Sequence, residues 1–275
     1  MKLSIIEELC YSTVRIECKN SSGQVQTGTG FFFGFKKSEK ESIPILITNK
    51  HVVKDMLVGK FIMTIANPDG TPNNTKHFPV KLTNLQSFIR YHPDNEVDLC
   101  AMAVAPILNY AKANGINVFI RVFDKSKLPT NEQLEEFTAL EEILMIGYPN
   151  GIWDSVNNMP ILRRGITATH PSIDYNGKKE FLIDAACFPG SSGSPVLIYN
   201  TGVYSSKSGN IVMSSQPRVI LVGILYAGPQ HTATGEIKVI NVPTTQQPIA
   251  LSRIPNNLGI VIKAERIIEL EQLFQ

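Results

Sequence analysis

From residue 12 to residue 263 the chain is written as short apolar runs, each closed by a turn signal. The run 12–18 alternates Val14, Ile16 and Cys18 with polar residues, the period-two pattern of a strand with one buried face. Further strands are expected at 26–35, 43–49, 60–66, 78–83, 97–104, 117–123, 142–147, 161–168, 181–186, 195–199, 218–227, 237–241 and 258–263. Asn20-Ser-Ser-Gly23, Asn67-Pro-Asp-Gly70, Asn150-Gly151, Asn176-Gly177 and Pro255-Asn-Asn257 punctuate them. Many short strands with little helix between them exclude βαβ units and point to all-β sandwiches or barrels. Two helices are expected: one capped at Thr130 or Asn131, and one over 264–274 with Ile267, Ile268, Leu270 and Leu273 at helical spacing. Residues 106–136 then read as a linker between halves at 1–105 and 137–275.

A chain of 275 residues with 43% hydrophobic content can bury one large core or two modest ones. The net charge is +2 without a basic stripe, so neither nucleic acid nor an anionic membrane is an expected partner. The apolar run Val219 to Ala227 stops well short of the ~20 residues of a membrane span. Glu7 and Glu8 interrupt the N-terminal sequence before a signal-peptide core forms, which gives a cytoplasmic expectation. Cys10, Cys18, Cys100 and Cys187 lack metal-ligand spacing and read as reduced thiols; no metal or cofactor is expected.

The stretch Cys187-Phe-Pro-Gly-Ser-Ser-Gly-Ser-Pro-Val196 admits three readings. It is a polar turn, a Gly-x-Ser-x-Gly nucleophile elbow, or the Gly-x-Ser-Gly-Ser-Pro loop of a serine peptidase. The elbow fails because Ser194 stands at its last glycine position. The peptidase loop requires a histidine and then an acid upstream. His51 ends the apolar run 45–48 in a polar turn, and Asp98 opens the run 99–104, so the order His51, Asp98, Ser192 is satisfied.

With these come Thr27-Gly-Thr-Gly-Phe-Phe-Phe33, Met145-Ile-Gly-Tyr-Pro149, Leu221-Val-Gly-Ile-Leu-Tyr-Ala-Gly228 and Asn257-Leu-Gly-Ile-Val-Ile-Lys263. Together they resemble the trypsin/chymotrypsin-like serine peptidases, most closely the Deg-type (high-temperature-requirement) protease domain, across nearly the whole chain. The resemblance implies two antiparallel six-stranded β-barrels, a C-terminal helix, no PDZ domain, and hydrolysis of peptide bonds in protein or peptide substrates. It implies Ser192 as nucleophile, His51 as base, Asp98 orienting the imidazole, and the backbone N–H groups of Gly190 and Ser192 as oxyanion hole. Asp55 and Asp94 are the weaker acid candidates.

Ser191 replaces the aspartate of zymogen-activated relatives, so no N-terminal cleavage is expected to be needed. Ala186 falls at the base of the side-chain pocket, with Tyr226, Ala227 and Gly228 along the substrate strand. An uncharged floor suggests an apolar or small residue before the cut. Arg163 and Arg164 read as exposed strand-edge charge and Trp153 as a loop anchor. The alternative is a catalytically silent or activator-gated binding module. No oligomeric state is assigned.

Overall fold

The computed structural model describes residues 3–38, 41–228, 230–236, 249–255 and 257–275. The first eight strands are β1 (Thr13–Lys19), β2 (Val25–Lys36), β3 (Ser42–Thr48), β4 (Val58–Ala66), β5 (Pro72–Thr83), β6 (Ile89–Tyr91), β7 (Cys100–Ala103) and β8 (Val118–Phe119). They form one sheet in the order β5-β4-β1-β2-β3-β7-β6, with β8 beside β4. The expected double-β architecture holds, but this half is an open eight-stranded sheet and not a six-stranded barrel, because β5 and β6 end the path and do not pair. A 3-10 turn at Leu85–Ser87 joins the two strands and buries Leu85. The Gln86 side chain donates to the carbonyls of Val53 and Met56.

The second half does close. It contains β9 (Glu142–Gly147), β10 (Ile161–Thr167), β11 (Glu180–Asp184), β12 (Pro195–Ser205) and β13 (Ile211–Ala227). A separate ribbon pairs β14 (Gln230–Glu236) with β15 (Ile249–Pro255), and β16 (Leu258–Lys263) returns to the barrel. The six-stranded barrel runs β10-β11-β16-β13-β12-β9. The arms of β12 and β13 outrun their expected lengths. Their added residues include exposed Val203, Ile211 and Met213, so no apolar alternation marked them as strand. The expected strand at 237–241 lies outside the described residues.

The triplet Phe31-Phe32-Phe33 explains how the halves join. Phe32 turns into the first sheet's core with Val14, Ile16, Leu46 and Met63. Phe31, Phe33 and Phe35 turn the other way, against Ile45, Ile47, Leu144, Ile146, Leu197 and Leu221. Both faces of β2 are therefore buried, and an unbroken aromatic run is what such a strand requires. Each buried phenylalanine contributes roughly 1.5–3 kcal/mol. A third cluster, including Ile143, Met145, Ile183, Cys187 and Val261, fills the closed barrel.

Four α-helices are short: α1 (Ile5–Leu9), α2 (Lys50–Val53), α3 (Ala105–Ala113) and α4 (Asn131–Glu136). Thr130 caps α4 by a reciprocal pair with Gln133. The C-terminal helix, Ala264–Leu273, is a 3-10 helix. Ala264, Ile267 and Leu270 are buried and Leu273 packs beside them. A three-residue spacing stacks on one face only at three residues per turn, which selects 3-10 over α geometry. No helix among the described residues is long and apolar enough to cross a membrane.

Candidate active site

Strand β3 ends at Thr48, and the chain turns through Asn49 into the single turn of α2 that carries His51. Asp98 lies two residues before β7, the neighbour of β3 in the sheet. The adjacency of these strand ends brings the pair together. His51 Nδ1 lies 2.5 Å from Asp98 Oδ2, and the His51 backbone N–H donates to Oδ1 at 3.0 Å. Asn49 Nδ2 donates to the Asp98 carbonyl at 2.8 Å, which fixes the acid's backbone. With Nδ1–H given to the carboxylate, Nε2 is the free, basic nitrogen. Asp94 instead receives Arg266 Nη2, and Asp55 does not bond His51.

The serine loop is built from the second half but held by the first. The Thr29 hydroxyl donates to the Gly190 carbonyl at 2.9 Å and accepts the Tyr148 N–H at 3.1 Å. The Thr29 N–H donates to the Ser192 carbonyl at 2.8 Å. Its own carbonyl accepts the Thr48 hydroxyl at 2.7 Å, three residues before His51. Thr29 is wholly buried and ties the nucleophile loop to the histidine turn. Gly193 sits at φ +90°, where a Cβ would fall on the Thr29 carbonyl oxygen.

Within the loop the peptides alternate. The N–H groups of Ser191, Gly193 and Ser194 donate to Phe188, Leu225 and Ser191 carbonyls at 3.0, 2.8 and 3.0 Å. Those of Gly190 and Ser192 have no partner among the described residues. The reason lies one atom back. The Pro189 carbonyl accepts Asn150 N–H at 2.5 Å, and the Ser191 carbonyl accepts Ser194 N–H. A trans peptide points its C=O and N–H in opposite directions, so both following N–H groups turn away from the protein body. Asn150 is itself held in the left-handed region (φ 51°) on a turn that Arg15 braces. Arg15 Nε donates to the Gly151 carbonyl at 3.1 Å, and its guanidinium lies 4.3 Å over the Trp153 ring.

The Ser192 hydroxyl donates to the Tyr226 carbonyl at 3.3 Å and, among the described residues, not to His51. Beside it opens a cavity of about 150 Å³ lined by Cys187, Phe188, Pro189, Ser192, Leu225, Tyr226 and Gly228. Ala186 is not in that lining. Ala227 is the last residue of β13 and pairs with Ile260. Burial, followed by the charge of Glu180, which accepts its hydroxyl, pushes the Tyr226 phenol up. Burial pushes the Cys187 thiol up to about 11, with Arg163 pulling in the other direction.

Sequence reasoning passed over Thr29 and Asn49, took Asn150 only as a turn residue, and read Arg163 as exposed strand-edge charge ahead of a substrate contact. Thr29 lay inside the quoted Thr27-Gly-Thr-Gly motif, but a threonine in a strand carries no signal of its own. His92 is buried between the Arg266 carbonyl and the Asp94 N–H. His77 Nε2 bonds the Val156 carbonyl and His170 accepts the Ser172 N–H. Among the described residues no group of three His, Cys, Asp or Glu side chains is placed to hold a metal.

Residues 28–204 match the family model of the trypsin-like peptidase domain, a span that includes His51, Asp98 and Ser192. Among solved structures, the chain is similar to the HtrA-type protease AlgW with tripeptide, at 16% identity and TM-score 0.47. The match covers 96% of this chain and 60% of that one. It is similar to the inactive form of a serine-to-alanine mutant of Rv3671c from M. tuberculosis H37Rv, at 14% identity and TM-score 0.44, covering 95% and 85%. The family model spans well over half of the sequence, and the chain belongs to the trypsin-like peptidase family.

Proposed function

We propose that this chain is a serine endopeptidase acting through His51, Asp98 and Ser192 and an acyl-enzyme intermediate. The observation that carries the reading is the pair of unpartnered N–H groups at Gly190 and Ser192, flanking a serine beside a cavity. Two fixed N–H donors turned outward beside a serine hydroxyl are the arrangement that an oxyanion hole requires.

In the proposed cycle the Ser192 hydroxyl rotates from the Tyr226 carbonyl to His51 Nε2. It attacks the scissile carbonyl as the imidazole takes its proton. The new oxyanion accepts the two N–H groups, each worth roughly 3–4 kcal/mol in the transition state. The imidazolium, stabilised by Asp98, then protonates the leaving amine, and water repeats the sequence to free the acid. The test is hydrolysis of a mixed fluorogenic peptide pool. Wild type cleaves it and Ser192→Ala does not; equal cleavage by both rejects the reading.

A gated form of the same reading draws on one observation, the engagement of the Ser192 hydroxyl by Tyr226. Gating predicts a lag in the progress curve that preincubation with peptide removes; linear curves from the first seconds exclude it.

A further inference from the structure

We propose that Arg163 selects substrates bearing a carboxylate side chain, glutamate or aspartate, immediately before the scissile bond. The inference rests on the peptidase reading above and names its substrate class.

Adjacent arginines on β10 face opposite ways. Arg164 projects outward and pairs with Glu142. Arg163 lies directly opposite Met145 of β9, and residues opposite one another in an antiparallel ladder share a face. Met145 belongs to the barrel interior with Ile183, Ala185, Cys187 and Leu225. Arg163 therefore shares the inner face of the barrel; like Ala186 it does not itself line the cavity, and it approaches it through Phe188. Its guanidinium stands 5.0 Å from the centre of the Phe188 ring, and Phe188 and Cys187 both line the cavity next to Ser192. The charge reaches Cys187, whose thiol it draws down against burial.

Among the described residues this cation has no anion. Its Nε is buried without a hydrogen-bond partner, and among the described residues no carboxylate pairs with Arg163. Two acidic groups are near. Asp184 is exposed at the end of β11 and also acts on Cys187, while Glu180 accepts the Tyr226 hydroxyl. Neither bonds the guanidinium. A half-buried guanidinium whose Nε is buried and unpaired is costly unless a ligand completes it. Its planar fork is matched by a carboxylate, and a neutral apolar side chain would leave it orphaned. The neutral Ala186 had suggested a neutral pocket; the charge arrives from a strand that only the barrel register brings there.

The test uses four fluorogenic peptides identical except for Glu, Gln, Leu or Lys before the cut. Wild type should favour Glu over Gln at least tenfold in kcat/KM. In Arg163→Met the ratio should fall to within threefold of one, while Arg163→Lys, which keeps a charge and an aliphatic stem, stays above it. A wild-type ratio near one, or a ratio that survives in Arg163→Met, overturns the inference. If wild type cleaves none of the four, the peptidase reading fails separately. Selection is then read by calorimetry on Ser192→Ala with peptides ending in Glu or Gln: tenfold tighter binding of Glu supports it, equal binding overturns it.

Discussion

The two sides of the candidate site are built to opposite specifications. The serine loop is buried and clamped: Gly190, Ser192 and Ser194 all bond Thr29, and Gly193 has no space for a side chain. The His51–Asp98 pair is open, with 43% and 23% of the side-chain surface exposed, on one helical turn and a loop. The difference follows from what each side does in the proposed mechanism. An oxyanion hole loses its effect when its donors move by fractions of an ångström. A base must meet substrate and water, so it sits at the rim. Damage to the clamp should therefore cost fold and activity together, and damage to the pair should cost activity alone.

The sharpest way to break this contrast is Asp98→Asn. It leaves the backbone ties to His51 and Asn49 in place but presents the wrong tautomer partner, and kcat should fall by roughly 10⁴. Thermal denaturation should shift by less than about 2 °C, as expected of an exposed substitution. Thr29→Val is the counterpart. It removes the hydroxyl that serves the Gly190 carbonyl, the Tyr148 N–H and the Ser194 hydroxyl, leaving three buried groups unsatisfied. The expected cost is about 2–4 kcal/mol of stability, read from urea denaturation. A drop in kcat of about 10- to 100-fold should accompany it as the oxyanion peptide loosens.

A smaller effect is set by pH. Burial holds the His92 imidazole below its ordinary value, and its neutral form donates from Nε2 to Arg266 and accepts at Nδ1 from Asp94. A depressed histidine contributes stability that is present above its unfolded pKa of about 6.5 and lost as pH falls through the folded value. Urea midpoints should decline below that pH, and His92→Gln should flatten the decline. The smallest expected change is favourable. The Ser191 hydroxyl is buried with no partner among the described residues, so Ser191→Ala should gain up to about 1 kcal/mol. Peptide hydrolysis should change less than twofold.

The triad candidates were legible in sequence because each sits in a setting that few residues share: a histidine closing an apolar strand, an acid opening one, a serine between glycines. The aromatic run of β2 was legible as strand for the same reason. Two features were not. Closure of the first sheet depends on whether β5 and β6 pair, and no periodicity encodes that. The roles of Arg163 and Arg164 depend on register against β9, and a one-residue slip would exchange them. Thr29 illustrates a third kind of silence. Its importance lies in five hydrogen-bonding partners distant in sequence, which become visible only when the halves meet.

The central claim is that Ser192, alone among the three serines of its loop, is the activated nucleophile. Treatment with a fluorophosphonate followed by peptide mass spectrometry tests it directly. The account predicts a single adduct on Ser192, strongly slowed in His51→Ala and absent in Ser192→Ala. An adduct on Ser191 or Ser194, or labelling that persists in Ser192→Ala, would contradict it.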